Sequence, residues 1–181
     1  MAIEISALAY SLNNAAGGTK SDTPIIETPM SVQVIPKAVI DDQQATSVKD
    51  VVRNSSGVAP NSYSYYDFIQ IRGFTNGYAA NYRNGLQLQA ITGLEMALLD
   101  RVEVVKGPAS MLYGRVEPGG LVNLVTKKPE AANAYSLQQQ AGSHGFIKTT
   151  GDATGKVNDS GTLLYRAIGA WTESESFMPN I

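Results

Sequence analysis

Cysteine is absent from the 181 residues, which excludes a disulfide framework and thiolate metal sites and leaves the compartment open. Histidine occurs once, as His144 in a glycine-rich turn, and a lone surface histidine is an ordinary residue rather than a catalytic one. Charge is scarce too: 17% of residues are charged, against about 25% in soluble domains. The net charge of -2 comes without a basic stripe, so nucleic acid is not an expected partner. No run approaches the roughly 18 apolar residues of a membrane-crossing helix. Gly57, Gly107, Gly114 and Gly119-Gly120 fit neither a Walker A loop nor a dinucleotide fingerprint. No G-x-S-x-G elbow or H-E-x-x-H pair occurs. Asp41-Asp42 has nothing nearby to complete a metal cage. An enzyme is not expected. Met1 to Ala16 lacks a basic start and a sustained apolar core; Ala7-Leu8-Ala9 imitates a cleavage site, but a signal peptide is not expected.

What is plentiful is glycine (17) and tyrosine (9), which favours turns and strands. Residues Met1 to Thr23 read as an extended, flexible leader, because the small polar run Asn13 to Gly18 offers little area to offset ordering entropy. Ser31 to Ile35 alternates as a strand. Pro36 suits the first turn of a helix through Asp42. Ser47 and Asp50 stand at capping-box spacing before Val48, Val51 and Val52, which marks a second helix. Phe68 to Arg72, Leu86 to Gln89, Arg101 to Val105 and Leu121 to Val125 read as strands, with Asn84-Gly85 as a hairpin turn. Short helical pieces are expected at Leu94 to Leu99 and Ala109 to Tyr113.

Beyond Pro129 the text changes. Tyr135 to Ala141, Phe146 to Thr154 and Thr162 to Thr172 alternate weakly and are separated by Gly142-Ser143-His144-Gly145 and Val157 to Gly161. Transmembrane β-strands have this low contrast. A soluble β-hairpin carries the same pattern, so alternation alone leaves both open.

Three stretches carry a resemblance. They are Ile69 to Phe74 (IQIRGF), Asp100 to Gly114 (DRVEVVKGPASMLYG) and Pro118 to Pro129 (PGGLVNLVTKKP), preceded by Thr23 to Val32 (TPIIETPMSV) and with Asn84-Gly85-Leu86 between the first two. In this order and spacing the chain resembles TonB-dependent outer-membrane ferric-siderophore receptors, on the side of those for hydroxamate siderophores. The resemblance is close from Asp22 to Lys128 and looser beyond. It implies an α+β plug domain, a small mixed four-stranded sheet with short helices, followed by the opening antiparallel strands of a transmembrane β-barrel, truncated. The expected divisions are a flexible segment over 1–23 with a possible TonB box, a plug over 24–129 and first barrel strands over 130–181.

The resemblance also implies capture of a ferric siderophore by apical loops, with no cofactor held by the protein itself. The partners it implies are TonB with ExbB/ExbD in the periplasm and outer-membrane lipid around the missing barrel. The N-terminus would be periplasmic and the plug would sit inside the barrel lumen. Five tyrosines, Tyr63, Tyr65, Tyr66, Tyr78 and Tyr82, crowd the segment between Asn61 and Tyr82. Their flat apolar faces and hydroxyls suit a bulky, oxygen-rich chelate, although packing against a wall or one another would use the same residues. With Asn81 and Gln89 they form the expected binding group. Only Asp67 among these loops could ligate bare Fe(III), so the iron is expected to arrive already chelated. Arg72, Arg101, Glu103, Arg115 and Glu117 are expected to latch the plug to the inner barrel wall, with ordinary solvated surface as the competing account. Glu4, Ile5, Ser6, Ala7 and Leu8 are the candidate TonB box, an extended segment able to add a strand to a partner's sheet.

The 47 residues from Tyr135 to Ile181 supply about three crossings at roughly 9–11 residues each. Closed single-chain barrels need about eight, so the chain is expected to be a truncated front part. A barrel-less soluble binding or regulatory module, or a receptor for haem, vitamin B12 or a sugar, are the alternatives.

Overall fold

The structure is a computed structural model and describes residues 10–61, 68–76, 81–88 and 94–175. The chain divides into two compact units, Met1–Thr126 and Lys127–Ile181, each built around its own sheet.

In the first unit, β1 (Asn14–Ala15) pairs with β2 (Thr23–Pro24), and a 3-10 turn at Ile25–Glu27 leads to β3 (Ser31–Pro36). Pro36 closes β3 rather than opening the helix behind it, and the helix runs Lys37–Asp42. The next helix, Val48–Val52, buries Val48, Val51 and Val52 and carries the expected capping box. Ser47 Oγ accepts from the Asp50 amide (3.3 Å) while Asp50 Oδ2 accepts from the Ser47 amide (3.0 Å). Two orphan donors of the helix start are thereby satisfied reciprocally.

Then come β4 (Val58–Pro60), β5 (Ile69–Ile71) and β6 (Phe74–Asn76), which form a separate three-stranded antiparallel sheet. β7 (Asn81–Arg83), β8 (Leu86–Gln87), β9 (Leu99–Lys106), a helical turn at Ser110–Tyr113 and β10 (Gly120–Thr126) complete the unit. The main sheet has the order β3-β9-β10-β7-β8 and is mixed, because β10 runs parallel to β7 and antiparallel to β9. It has five strands where four were expected. Ile69 to Ile71 belongs to the smaller sheet, because Ile69 and Ile71 both turn inward and pack as a separate layer of the core. The helix expected at Leu94 to Leu99 is a single 3-10 turn, Met96–Leu98, since Leu99 already starts β9.

Strand alternation divides the main sheet into two faces. Val102, Val104, Val122 and Leu124 enter the larger core with Ile40, Val51, Val52, Ile69 and Ile71. Each such side chain contributes about 1.5–3 kcal/mol by leaving water. Glu103, Val105, Leu121 and Asn123 point to the other face, where Tyr82, Tyr113, Ala109, Val105 and Leu121 make a second cluster. Residues 10–23 do not form the loose leader expected of them. Ala15 is buried, and the Tyr113 hydroxyl donates to Gly17 O (2.9 Å). The small residues that looked like flexible linker are small because the segment lies tightly on this face: a β-carbon on Gly17 would sit 2.8 Å from Glu103 Oε2. At the start of β10, Gly120 adopts φ +133°, and a β-carbon there would overlap Val105 O at 2.0 Å. Only glycine can hold that position.

The second unit is an antiparallel meander of β11 (Ala134–Ala141), β12 (Ile147–Lys156) and β13 (Leu164–Glu173). Its register sorts the side chains. Tyr135, Leu137 and Gln139 on β11, Thr149 and Ala153 on β12, and Tyr165, Ala167, Trp171 and Glu173 on β13 share one face; Ser136, Gln138, Thr150, Asp152, Thr154, Leu164, Arg166, Ile168 and Ala170 share the other. Tyr135, Leu137 and Trp171 are more than 70% exposed.

Replacing Ser47 with Ala should cost about 1 kcal/mol through loss of the cap, read as a lowered denaturant midpoint without a change in slope. The Asp50 carboxyl is pushed up by burial, but hydrogen bonds from Ser47 and Thr46 outweigh this and hold it below its ordinary value. Its contribution is therefore full above the ordinary carboxyl pKa and disappears as pH falls through the lowered one; the Ser47→Ala penalty should shrink on acidification over that window.

Candidate functional site

The loops expected to carry ligand contacts are placed by their roots. Asn61 N donates to Phe68 O (2.9 Å) where β4 and β5 pair, and Ile69 lies opposite Asn76, so three chain ends meet there. Leu88 N donates to Asn81 O (2.8 Å) beyond the β7–β8 hairpin, joining two more. Asn84 and Gly85 both take left-handed φ, 51° and 80°, in the turn of that hairpin. Between Asn76 and Asn81 only four residues intervene, so the two groups of roots lie no more than about 18 Å apart. The described residues that flank 62–67 and 77–80, and those that precede 89–93, thus lie within that reach of one another. Tyr63, Tyr65, Tyr66, Tyr78 and Gln89 lie in these loops, outside the described residues, and so does the segment Glu4 to Leu8.

Asn81 is half-buried at the root. Tyr82, expected to face a ligand, is instead 2% exposed. Its β7 position pairs with Asn123, which directs the ring to the face beneath the N-terminal segment. There its hydroxyl donates to Tyr113 O (3.1 Å) and its ring meets that of Tyr113 edge-on at 4.8 Å.

Glu103 lies at the centre of that face and is wholly buried. Arg101 Nε donates to Oε1 (2.8 Å), Asn123 Nδ2 to Oε2 (3.0 Å) and the Ala16 amide to Oε1 (3.3 Å). Arg101 also pairs with Asp100 at 2.9 Å. Asn123 Oδ1 in turn accepts from the Gly85 amide at 2.9 Å, tying the hairpin turn to the same network. Arg101 and Glu103 therefore satisfy each other within the first unit and are not free to latch it to a wall. Alternating charge along a strand resembles a solvated face, and nothing local announces that another segment covers it. Arg115 and Glu117 are exposed on the turn before β10.

Arg72 behaves differently. It takes a left-handed φ of 51° at the turn between β5 and β6, and its guanidinium runs beside Gly107, 3.4 Å from where a β-carbon would stand. Lys106, absent from the expected latch residues, joins it. Its ammonium donates to Gln33 Oε1 (2.8 Å) and Ser56 Oγ (3.1 Å), both neutral. Burial, and then the Arg72 charge, lower the Lys106 pKa. Among the described residues neither cation has a carboxylate partner. The signal that could have found Lys106 is its place at the strand end directly before Gly107-Pro108.

Residues 24–121 match the TonB-dependent Receptor Plug Domain family. The chain is 36% identical over 171 residues to the ferrioxamine B receptor of Salmonella typhimurium (strain SL1344), covering 89% of this chain and 24% of that protein. To the ferrichrome outer membrane transporter/phage receptor of Escherichia coli (strain K12) it is 34% identical over 172 residues, covering 90% and 23%. In three dimensions it resembles the crystal structure of the ferripyoverdine receptor of the outer membrane of Pseudomonas aeruginosa, with a TM-score of 0.85 at 29% identity over 93% of this chain and 23% of that one. The chain spans about a quarter of the length of the curated relatives it matches.

Replacing Glu103 with Ala should cost about 3–5 kcal/mol, since Arg101 would be left partly buried without its carboxylate; equilibrium denaturation of the first unit measures it. Burial, with added repulsion from Glu103 and Tyr82, pushes the Tyr113 hydroxyl up to about 12. A raised acid pKa contributes stability below the ordinary tyrosine value, and that stability is lost as pH rises through the folded one. Absorbance titration should show one phenol ionising near 12, absent in Tyr113→Phe.

Proposed function

The chain belongs to the TonB-dependent receptor plug domain family, and on that premise we propose that its first unit gates an outer-membrane barrel whose opening strands are β11 to β13. The complete receptor captures a ferric siderophore, with hydroxamate chelates such as ferrioxamine B and ferrichrome as the first candidates, and passes it across the outer membrane. The observation that carries this is the two-sidedness of the β11–β13 sheet directly after the family-matched residues. One face carries Tyr135, Leu137, Tyr165, Ala167 and Trp171, with Gln139, Thr149 and Glu173 towards one end; the other carries Gln138, Thr150, Asp152, Thr154 and Arg166 alongside Leu164, Ile168 and Ala170, so the first is the more suited to lipid and the second to a lumen.

Capture falls to Tyr63, Tyr65, Tyr66, Tyr78 and Gln89, which supply rings and polar contacts together with Asn81. The chelate brings its iron fully ligated, so the protein recognises the complex as cargo. Energised release uses TonB with ExbB/ExbD, engaging the segment around Glu4 to Leu8. Arg72, exposed and backed by the buried Lys106, takes the latch role: among the described residues neither cation has a carboxylate partner, which calls for acidic groups on the barrel wall, where an enclosed pair counts for more than one in bulk water.

Uptake of radiolabelled ferric ferrioxamine B and ferrichrome, by cells whose own siderophore receptors are deleted and which express the complete receptor, tests the function. Energy-dependent accumulation is expected; absence of both binding and accumulation for ferric siderophores of either chemistry would sink it. Removing residues 1–9 should abolish accumulation and spare binding. Changing Arg72 and Lys106 together to Gln should expose the plug to protease in the complete receptor, whereas unaltered protection would rule out the latch.

A further inference from the structure

The segment after β10 is held unusually firmly for a connection. Arg166, on the polar face of β13, uses four of its five donors. Nε and Nη2 grip Asp152 Oδ1 and Oδ2 of β12 as a two-pronged fork, at 2.9 and 2.8 Å. Nη1 reaches the chain that follows β10, donating to Lys128 O (2.7 Å) and Glu130 Oε1 (2.9 Å). Lys127 Nζ donates to Asp152 Oδ2 from the other side at 2.7 Å. The Glu130 amide donates to Thr154 Oγ1 (2.9 Å), whose hydroxyl donates on to Tyr165 O (2.9 Å). Further along, the Lys156 amide donates to Asn133 Oδ1 at 3.4 Å, and a β-carbon on Gly155 would collide with that oxygen at 2.2 Å. Arg166, Asp152 and Lys127 side chains are all below 15% exposed.

We propose that Asp152 and Arg166 are positioning residues which clamp residues 127–133 flat against the polar face of the second unit, so that the plug's C-terminal exit is a fixed root rather than a hinge. Two features separate this from incidental surface pairing. The fork gives fixed geometry, and charge-assisted bonds of this length are the strong kind. Arg166 also grips backbone at Lys128, and Thr154 beside it holds the Glu130 amide, so the main chain itself is ordered and not only side chains. Its consequence for transport rests on the function proposed above: with the root fixed, rearrangement during passage is confined to the N-terminal side of the plug, where residues 14–20 are held by the short β1–β2 pairing, the Ala16–Glu103 and Gly17–Tyr113 hydrogen bonds and the Lys20–Tyr113 contact, with no ion-pair fork among them.

Hydrogen–deuterium exchange on the complete receptor tests the clamp without any siderophore. Arg166→Ala should speed exchange of the Glu130 amide, which donates to Thr154 Oγ1, at least tenfold while the β12–β13 ladder stays protected. Arg166→Lys, which keeps the charge and loses the fork, should fall between. Unchanged exchange of the Glu130 amide overturns the clamp. Should Arg166→Ala prevent barrel assembly, Lys127→Met and Glu130→Gln, which leave the fork intact, take its place, and unchanged exchange in both is the overturning result. For the positioning role, ferric ferrioxamine B affinity should hold while energised uptake falls several-fold; faster exchange with normal uptake would remove that role. If the receptor binds no ferric siderophore at all, the transport reading fails alone, because the exchange result still judges the clamp.

Discussion

A carboxylate without access to water organises the first unit. Glu103 stands in the middle of the sheet, and desolvating it is costly unless its oxygens are satisfied. Three donors from distant parts of the chain do so: Arg101 beside it, Asn123 on the neighbouring strand and the Ala16 amide of the N-terminal segment. The last of these makes the N-terminal segment part of the fold. Gly17 must be small because it crosses directly above the carboxylate. Tyr113 is buried because the same segment covers it, and Tyr82 is drawn inward to meet it. The β7–β8 turn is tied to the same arrangement, since Asn123 also holds the Gly85 amide.

The second unit obeys a different constraint. A sheet whose apolar face carries Tyr135, Leu137 and Trp171 in the open is unsuited to water and suited to hydrocarbon, where aromatic side chains gather at the interfaces. Its polar face is not idle. It receives the chain leaving β10 and binds it with the strongest cluster of charge-assisted hydrogen bonds in this unit. Strands that face a lumen can hold charge because the lumen is wet or lined with protein; the same residues on the opposite face would be expensive.

Charge is scarce in this chain, and its placement separates internal structure from external contact. Arg101 and Glu103 neutralise each other inside the first unit. Arg166 and Asp152 do so inside the second. Lys106 is buried beside the exposed Arg72 and, among the described residues, donates only to the neutral Gln33 and Ser56; burial first and the Arg72 charge second lower its pKa.

Local chemistry was legible from the residues. The capping box at Ser47 and Asp50, the Asn84-Gly85 turn, the strands around Val104 and Val122, and the weak alternation beyond Pro129 all follow from preferences that act within a few positions. The order of the IQIRGF, KGPASMLYG and PGGLVNLVTKK stretches pointed to the family, since each holds a glycine or proline where the backbone permits little else. What local pattern could not supply was which face of a strand another segment covers. Glu103 and Tyr82 looked like surface residues, and Asn13 to Gly18 looked like linker, because burial of each depends on a partner dozens of positions away. Lys106 and Arg166 escaped notice for the same reason, their partners lying on other strands. Sequence by itself determined most of the elements, the turns and the family, because these depend on short-range sterics and periodicity; the tertiary structure alone decided which charges are buried and mutually satisfied, because Coulomb and desolvation energies depend on distances through space.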